Sequence, residues 1–293
     1  MKQIGSIKKQ IDQIRDLSNI LTTMKNISLV NITYYEKRVQ AVRQYFATIE
    51  KGFQIFLHND AGNILKNLEN QTNTDSSSLG AIVIGSEKGL CGEFNDQIFQ
   101  FFTKNIELRN DVHILAIGHK IASRLNHPQV QAYDFPSSHE EILDLLKEML
   151  IVVHQWVEKD RVKEVACFHN QLVNSLAYKP KCTSIYPLNL DWLKSLKEKP
   201  WPSRSLPTYT INREDLFYEL TEEFLFITLY RSFIESLASE NAGRLSSMQA
   251  AENNIQDRLA ELEKNYHLQR QSQITEELFD ILSGFEVLKK KKK

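Results

Sequence analysis

The sequence predicts an α/β domain, Rossmann-like with a mainly parallel sheet, inserted into a long antiparallel two-helix coiled coil made by the N- and C-terminal segments. Three observations predict it. Residues 213–288 contain no proline and only two glycines, Gly243 and Gly284. A second proline-free segment with the same apolar periodicity opens the chain. Between them, short apolar runs alternate with helical patterns, the mark of strands and helices in one layered domain.

In the first segment, steps of three and four from Ile4 reach Ile7, Ile11, Ile14, Ser18, Leu21, Lys25, Ser28, Ile32, Tyr35, Val39, Val42, Phe46, Ile49, Phe53 and Phe56. That is a heptad seam over residues 2–58, about 80 Å long as a helix. Ser18, Lys25 and Ser28 interrupt it, and the apolar face is expected to move aside there to Leu17, Met24 and Ile27 as a straight helix drifts from a seven-residue repeat. The helix is bounded at residue 66 by a polar Ser/Asn-rich linker, residues 67–80.

The inserted domain occupies residues 81–190. Strands are expected at Ala81–Ile84, Val112–Ile117, Val130–Phe135, Val165–Phe168 and Thr183–Leu188, with a helix through Ile98, Phe101 and Phe102 and another over Glu140–Val157. Pro187, Pro200, Pro202 and Pro207 mark the exit from the domain, with a connection at residues 191–211, before the last helix.

That helix, residues 212–288, carries Phe217, Leu220, Phe224, Ile227, Ile234, Ala238, Leu245, Met248, Ile255, Leu259, Leu262 and Tyr266 on one seam. At roughly 110 Å it exceeds any core this chain can build, so it needs an equally long partner. Residues 1–58 supply one: they carry nine Lys/Arg and four Asp/Glu, against six and fourteen in residues 212–284. Opposite charge favours the pairing. The expected division puts Phe217–Ile234 beside the α/β domain, Glu235–Leu262 in the paired shaft, and a run past the partner's end beyond Tyr266. Five lysines, Lys289–Lys293, form a basic tail.

A net charge of −1 argues against nucleic-acid binding as the main task, since phosphate contacts need a basic surface. No apolar run reaches the ~18 residues of a membrane span, so association with a membrane is expected through partners only. Periodicity from Ile4 argues against a signal or transit peptide. Cys91, Cys167 and Cys182 are odd in number and lack metal-ligand spacing, as reduced intracellular thiols would.

The loop Gly85-Ser-Glu-Lys88-Gly89-Leu-Cys91-Gly92-Glu93-Phe-Asn95 lies between a strand and a helix, where α/β folds hold phosphates. It matches neither the dinucleotide nor the P-loop glycine pattern, and Lys88 precedes Gly89 where a P-loop lysine would follow. Cys91 has no identifiable base among the scattered histidines. No catalytic, cofactor or metal residues are therefore assigned. From the residues alone, a nucleotide-binding α/β enzyme and a coiled-coil scaffold protein stay open as alternatives to a mechanical role.

Three stretches resemble a known family. Ile20-Leu-Thr-Thr-Met24-Lys25 is similar to its N-terminal "ITKAMKMVA" segment, and Lys88-Gly-Leu-Cys91-Gly92 with Asn95 to its "RGLCGGLN" turn. Glu235-Ser, Ala238-Ser-Glu240, Ala242, Arg244, Met248 and Asn253 or Asn254, then Arg270-Gln271, Ile274-Thr275, Glu277, Leu278, Ile281 and Gly284, match its last helix. The chain resembles the γ subunit of F-type ATP synthases, as a divergent bacterial-type member. The resemblance implies a non-catalytic rotor shaft inside a ring of α and β subunits, whose α/β domain meets the ε subunit and the membrane c-ring. It implies a peripheral location on the cytoplasmic face of the bacterial inner membrane. It places Met24, Lys25 and Arg244 toward the ring, Gln271 and Thr275 at a β-subunit catch loop, and Ile281, Leu282, Phe285 and Leu288 in an apical bearing. Departures are Asn26-Ile-Ser-Leu-Val30 and Asn31 after Lys25, Glu93 for a glycine, Gly243 for an alanine and Leu245 for a methionine.

Overall fold

The computed structural model describes residues 2–72, 78–106, 111–136, 139–174, 177–205 and 207–290; within these, the side chains of 2–3, 60–72, 139 and 283–290 are outside the description. Two compact units divide it, one made of the chain up to Ile27 and from Leu245 onward, the other of Ser28–Arg244. Helix α1 spans Lys2–Thr72 and helix α6 spans Arg213–Lys290, roughly 107 and 117 Å at about 1.5 Å per residue. Helix α1 thus continues through residues 67–72, which the sequence reads as linker. That stretch has no proline or glycine to stop a helix, and its polarity alone misled the reading.

In the first unit, Arg15 pairs with Glu263 at 2.7 Å, Thr22 donates to Glu252 at 3.2 Å, and Lys25 reaches Gln249 at 3.3 Å. Numbers rise on α1 as they fall on α6, so the helices run antiparallel, basic side against acidic side. Ile11, Leu21, Met248 and Leu262 are buried here. The same sense holds within the second unit, where Asn31 meets Asn241, Arg38 meets Tyr230, and Tyr45 meets Glu223.

The expected sideways shift of the seam does not occur. Leu17 and Ile27 are 47% and 55% exposed and Met24 is half-buried, while Ser28 is fully buried and Lys25 half-buried. The heptad register is kept, and Lys25 is accommodated in place by Glu252, which takes its ammonium.

The second unit holds a five-stranded sheet: β1 (Ser78–Ile84), β2 (Asp111–Ile117), β3 (Val130–Tyr133), β4 (Glu164–Asn174) and β5 (Ala177–Tyr186). Their order is β3-β2-β1-β4-β5, with the first four parallel and β5 antiparallel to β4. Side chains alternate between faces. Ile82, Ile84, Leu115, Ile117, Val165 and Cys167 pack with α4 (His139–Glu158) and with Leu225, Leu229 and Phe233 of α6. Leu79, Ala81, Val83, Ile114 and Phe168 pack on the other face with α2 (Phe94–Ile106) and the single turn α3 (His119–Ala122). Both faces are covered, which is why the central strands read as continuous apolar runs.

Two elements differ from the expectation. The last strand lies at 177–186, ahead of Thr183–Leu188, and tolerates Pro180 because it is the sheet edge. The connection contains a helix, α5 (Leu190–Glu198), capped by Asn189 accepting from the Trp192 N–H at 3.0 Å. Its Trp192, Leu193 and Leu196 close an aromatic cluster with Phe46 and Phe53 of α1 and Phe217 and Phe224 of α6.

Candidate functional site

Three local arrangements bear on function. The strand-to-helix loop after β1 is closed on itself. Asn95 accepts from the Ser86 N–H at 3.0 Å and donates to Ser86 Oγ at 2.8 Å. Glu87 accepts from the backbone N–H of His119 at 3.0 Å, at the start of α3, and from that of Phe135 at 3.4 Å. Leu90 and Gly92 turn the chain with φ of 64° and 62°. Asn95 and Glu87 thus accept the backbone N–H groups of Ser86, His119 and Phe135 near the C-terminal ends of the strands. Cys91 is buried, and burial pushes its thiol pKa up despite a hydrogen bond with Ser86. It is a packed structural thiol, unsuited to act as a nucleophile.

The second arrangement joins α6 to the sheet, and it takes the first part of the last-helix motif. Glu235, Ser236, Ala238, Ser239, Glu240 and Ala242 are all buried. This corrects the expectation that the paired shaft begins at Glu235: the face of α6 against the sheet extends to Gly243. Glu235 accepts from Arg231 Nε at 2.8 Å and pairs with His169 Nε2 at 3.2 Å, with Lys181 Nζ at 4.0 Å. Burial raises the Glu235 pKa, but the hydrogen bonds of His169 and Arg231 outweigh it and hold the carboxyl at about 2. Burial pushes His169 down against the pull of Glu235. We read this as a neutral imidazole donating its Nε2–H to an ionised carboxylate, with Arg231 and Lys181 supplying the countercharge. Ser239 donates to the Asn170 carbonyl at 3.1 Å, and Asn170 donates to the Phe94 carbonyl at 3.0 Å. A Cβ on Gly243 would lie 2.6 Å from the Cys91 carbonyl oxygen. Arg244 is held by Glu240, 2.5 Å away one turn earlier; burial raises the Glu240 pKa, with Arg244 opposing.

The third arrangement is the end of α6. Thr275 donates to the Gln271 carbonyl at 2.9 Å, so the two sit one turn apart on one face, and both are exposed. From Ile274 through Leu282 every residue is exposed, with Phe279 at 64% and Leu282 at 60%. Phe285 and Leu288 continue the helix, but their side chains lie outside the described residues. Lys291–Lys293 of the basic tail also lie outside them. Lys25, expected to face a partner, is bound by Glu252 and Gln249 of its own chain. Among the described residues no cluster of His, Cys, Asp or Glu fits a metal ion, and no helix is long and apolar enough to cross a membrane.

Sequence reasoning missed His169 and Lys181, whose partner is 66 and 54 positions away along the chain. Neither shows any local spacing signal.

Two long antiparallel terminal helices with a mainly parallel α/β domain between them in sequence define a helical-hairpin protein with an inserted α/β domain. The sequence matches the ATP synthase family over residues 3–288. It is 24% identical to the ATP synthase gamma chain of Ehrlichia ruminantium (strain Gardel), covering 98% of this chain and 99% of that one. It is 25% identical to that of Acetivibrio thermocellus, covering 99% and 100%. Its fold is similar to a chain of the Euglena gracilis mitochondrial ATP synthase, solved with its F1 sector and c-ring, at a TM-score of 0.68 and 14% identity over 100% of this chain and 96% of that chain. The chain belongs to the ATP synthase gamma-chain family.

Proposed function

We propose that this chain is the central rotor shaft of an F-type ATP synthase, coupling ion flow through a membrane c-ring to ATP synthesis or hydrolysis in a ring of α and β subunits. The observation that carries the reading is the exposure of α6 from Ile274 to Leu282, where Ile274, Leu278, Phe279, Ile281 and Leu282 all stand in solvent. Such a stretch requires a surrounding sleeve of other subunits. In this reading α1 and α6 form a coiled coil, supported by the antiparallel ladder of contacts and the heptad register. The C-terminal end of α6 turns inside the ring, with Ile281, Leu282, Phe285 and Leu288 in the bearing. Gln271 and Thr275 meet a β-subunit loop, and Met24 and Arg244 lie toward the ring. Lys25 contributes through the pair it makes with Glu252. The α/β domain meets ε and the c-ring at the cytoplasmic face of a bacterial inner membrane.

An asymmetric shaft makes different contacts with otherwise equivalent subunits, so each prefers a different conformation, and rotation moves those preferences round. The test is Gln271→Ala with Thr275→Ala in the assembled complex. Coupled ATPase and ion transport should both fall. The stability of the chain itself should hold, because the one hydrogen bond lost, from Thr275 to the Gln271 carbonyl, lies within the exposed helix. Wild-type coupling in the double variant would refute the assignment of these residues. Recovery of the chain without α and β subunits would refute the shaft.

A further inference from the structure

We infer that the polar face of α6 from Ser232 to Gly243 is a torsional joint that passes turning force between the α/β domain and the helix, with Glu235 as its central positioning residue. The inference rests on the shaft reading and goes beyond it, to residues buried away from any partner.

The composition of this face is unusual for a helix packed on a sheet. Ser232, Glu235, Ser236, Ser239 and Gly243 follow one another at helical spacing, and all but Gly243 are polar and fully buried. Lower on the same helix, contact with the sheet and α4 is made by Leu225 and Leu229, and Phe233 and Leu237 continue that apolar contact alongside the polar positions. The hydrophobic effect is non-directional and scales with the area buried, so by itself it fixes no particular rotation of a helix on its neighbours. Hydrogen bonds weaken steeply with angle. A load tangential to α6 therefore meets resistance where fixed donors and acceptors bridge it to its neighbours.

Glu235 is bridged in this way on two strands at once. Its carboxylate takes His169 of β4 at 3.2 Å and has Lys181 of β5 at 4.0 Å, while Arg231 braces it from one turn earlier on α6. One turn on, Ser239 donates to the Asn170 backbone, and Asn170 extends the link to α2 through the Phe94 carbonyl. At Gly243 the missing side chain lets the Cys91 backbone lie directly against the helix. Three successive turns of α6 are thus tied to β4, β5, α2 and the loop before α2.

The joint is tested in the assembled complex in inverted membrane vesicles, reading ATP hydrolysis and ATP-driven ion uptake together. His169→Leu with Lys181→Met removes both strand-borne partners of Glu235 and keeps similar side-chain volume. Hydrolysis should persist while ion uptake per ATP hydrolysed is largely lost. His169→Gln with Lys181→Arg keeps a donor and a cation at these positions and should restore most of the uptake. Phe102→Leu, in the opposite core layer, is the control for lost stability and should leave the uptake ratio at the wild-type value. Full uptake in the Leu/Met variant, or equal loss in the Phe102 control, would overturn the joint. Failure of the wild-type chain to assemble with α and β subunits would instead remove the shaft reading beneath it.

Discussion

Replacing three helical glycines by alanine should give three different results from one chemical change. In a helix interior, alanine is favoured over glycine by about 0.5–1 kcal/mol because the glycine backbone loses more freedom on folding. A Cβ at Gly5 would meet nothing within 4 Å, so Gly5→Ala should realise up to about that gain. At Gly52 the Cβ would lie 2.7 Å from Leu220 Cδ2, the tip of a flexible side chain that can rotate away, so the gain should be largely cancelled. At Gly243 it would lie 2.6 Å from a backbone oxygen, that of Cys91, against the 3.4 Å at which ordinary contact begins. The loop would have to retreat by about 0.8 Å, the difference between those two distances. Cys91 also accepts the Phe94 N–H that opens α2, which leaves the loop little freedom to do so. Overpacking of this kind typically costs about 1–3 kcal/mol. Set against the propensity gain, the net effect is a loss of about 1 kcal/mol, or roughly 2 °C in a chain of this size. Thermal unfolding of the purified chain, with hydrogen exchange at Ser86–Asn95 as the local readout, checks the series. Gly243→Ala should speed exchange in that loop, and Gly5→Ala should not. If Gly243→Ala raised the melting temperature as much as Gly5→Ala, the close approach of loop and helix would be wrong.

Two further outcomes follow from burial and charge. The Glu235 carboxyl is held at about 2 in the folded chain against 4.5 for the ordinary group. A depressed folded value stabilises the fold fully above the unfolded pKa and loses that contribution as pH falls toward the folded one. Acid titration should therefore remove on the order of 3 kcal/mol between about pH 4.5 and 2. Glu235→Gln should flatten that part of the profile, and an unchanged profile would refute the pairing. Maleimide labelling of the native chain near pH 8 should modify Cys182, which is exposed, well before Cys91 and Cys167, whose burial pushes their thiols up. Equal rates at all three would contradict the packing of β4 and the loop.

Both long helices, the mainly parallel sheet, its first four strand positions and the α4 helix were legible because each is set by local periodicity. Strand ends moved by a few residues, and the outer strand moved furthest. Residues 177–181 carry two lysines and a proline, a polar edge pattern that does not look like a core strand. Helix α5 was hidden among prolines, and only its packing against Phe46, Phe53 and Phe224 makes its apolar side visible. The polar members of the α1 seam misled in the opposite direction. Ser18, Lys25 and Ser28 look like a break, yet the seam keeps its register through them because α6 brings Glu252 to Lys25.

The sequence by itself determined the two helical seams, their opposite charge, the inserted α/β pattern and the family motifs. These depend on residues near one another in the chain, or on counts that need no geometry. Only the tertiary structure decided what the motifs do. The glycine-containing turn is fastened by Asn95 on Ser86 and by Glu87 on the backbone of His119 and Phe135. The first part of the last-helix motif is buried as far as Gly243, whereas every residue from Ile274 to Leu282 is exposed. The physical reason is that a buried carboxylate such as Glu235 is stable only with partners, and those partners, His169 and Lys181, come from strands that no local pattern in the sequence links to the helix.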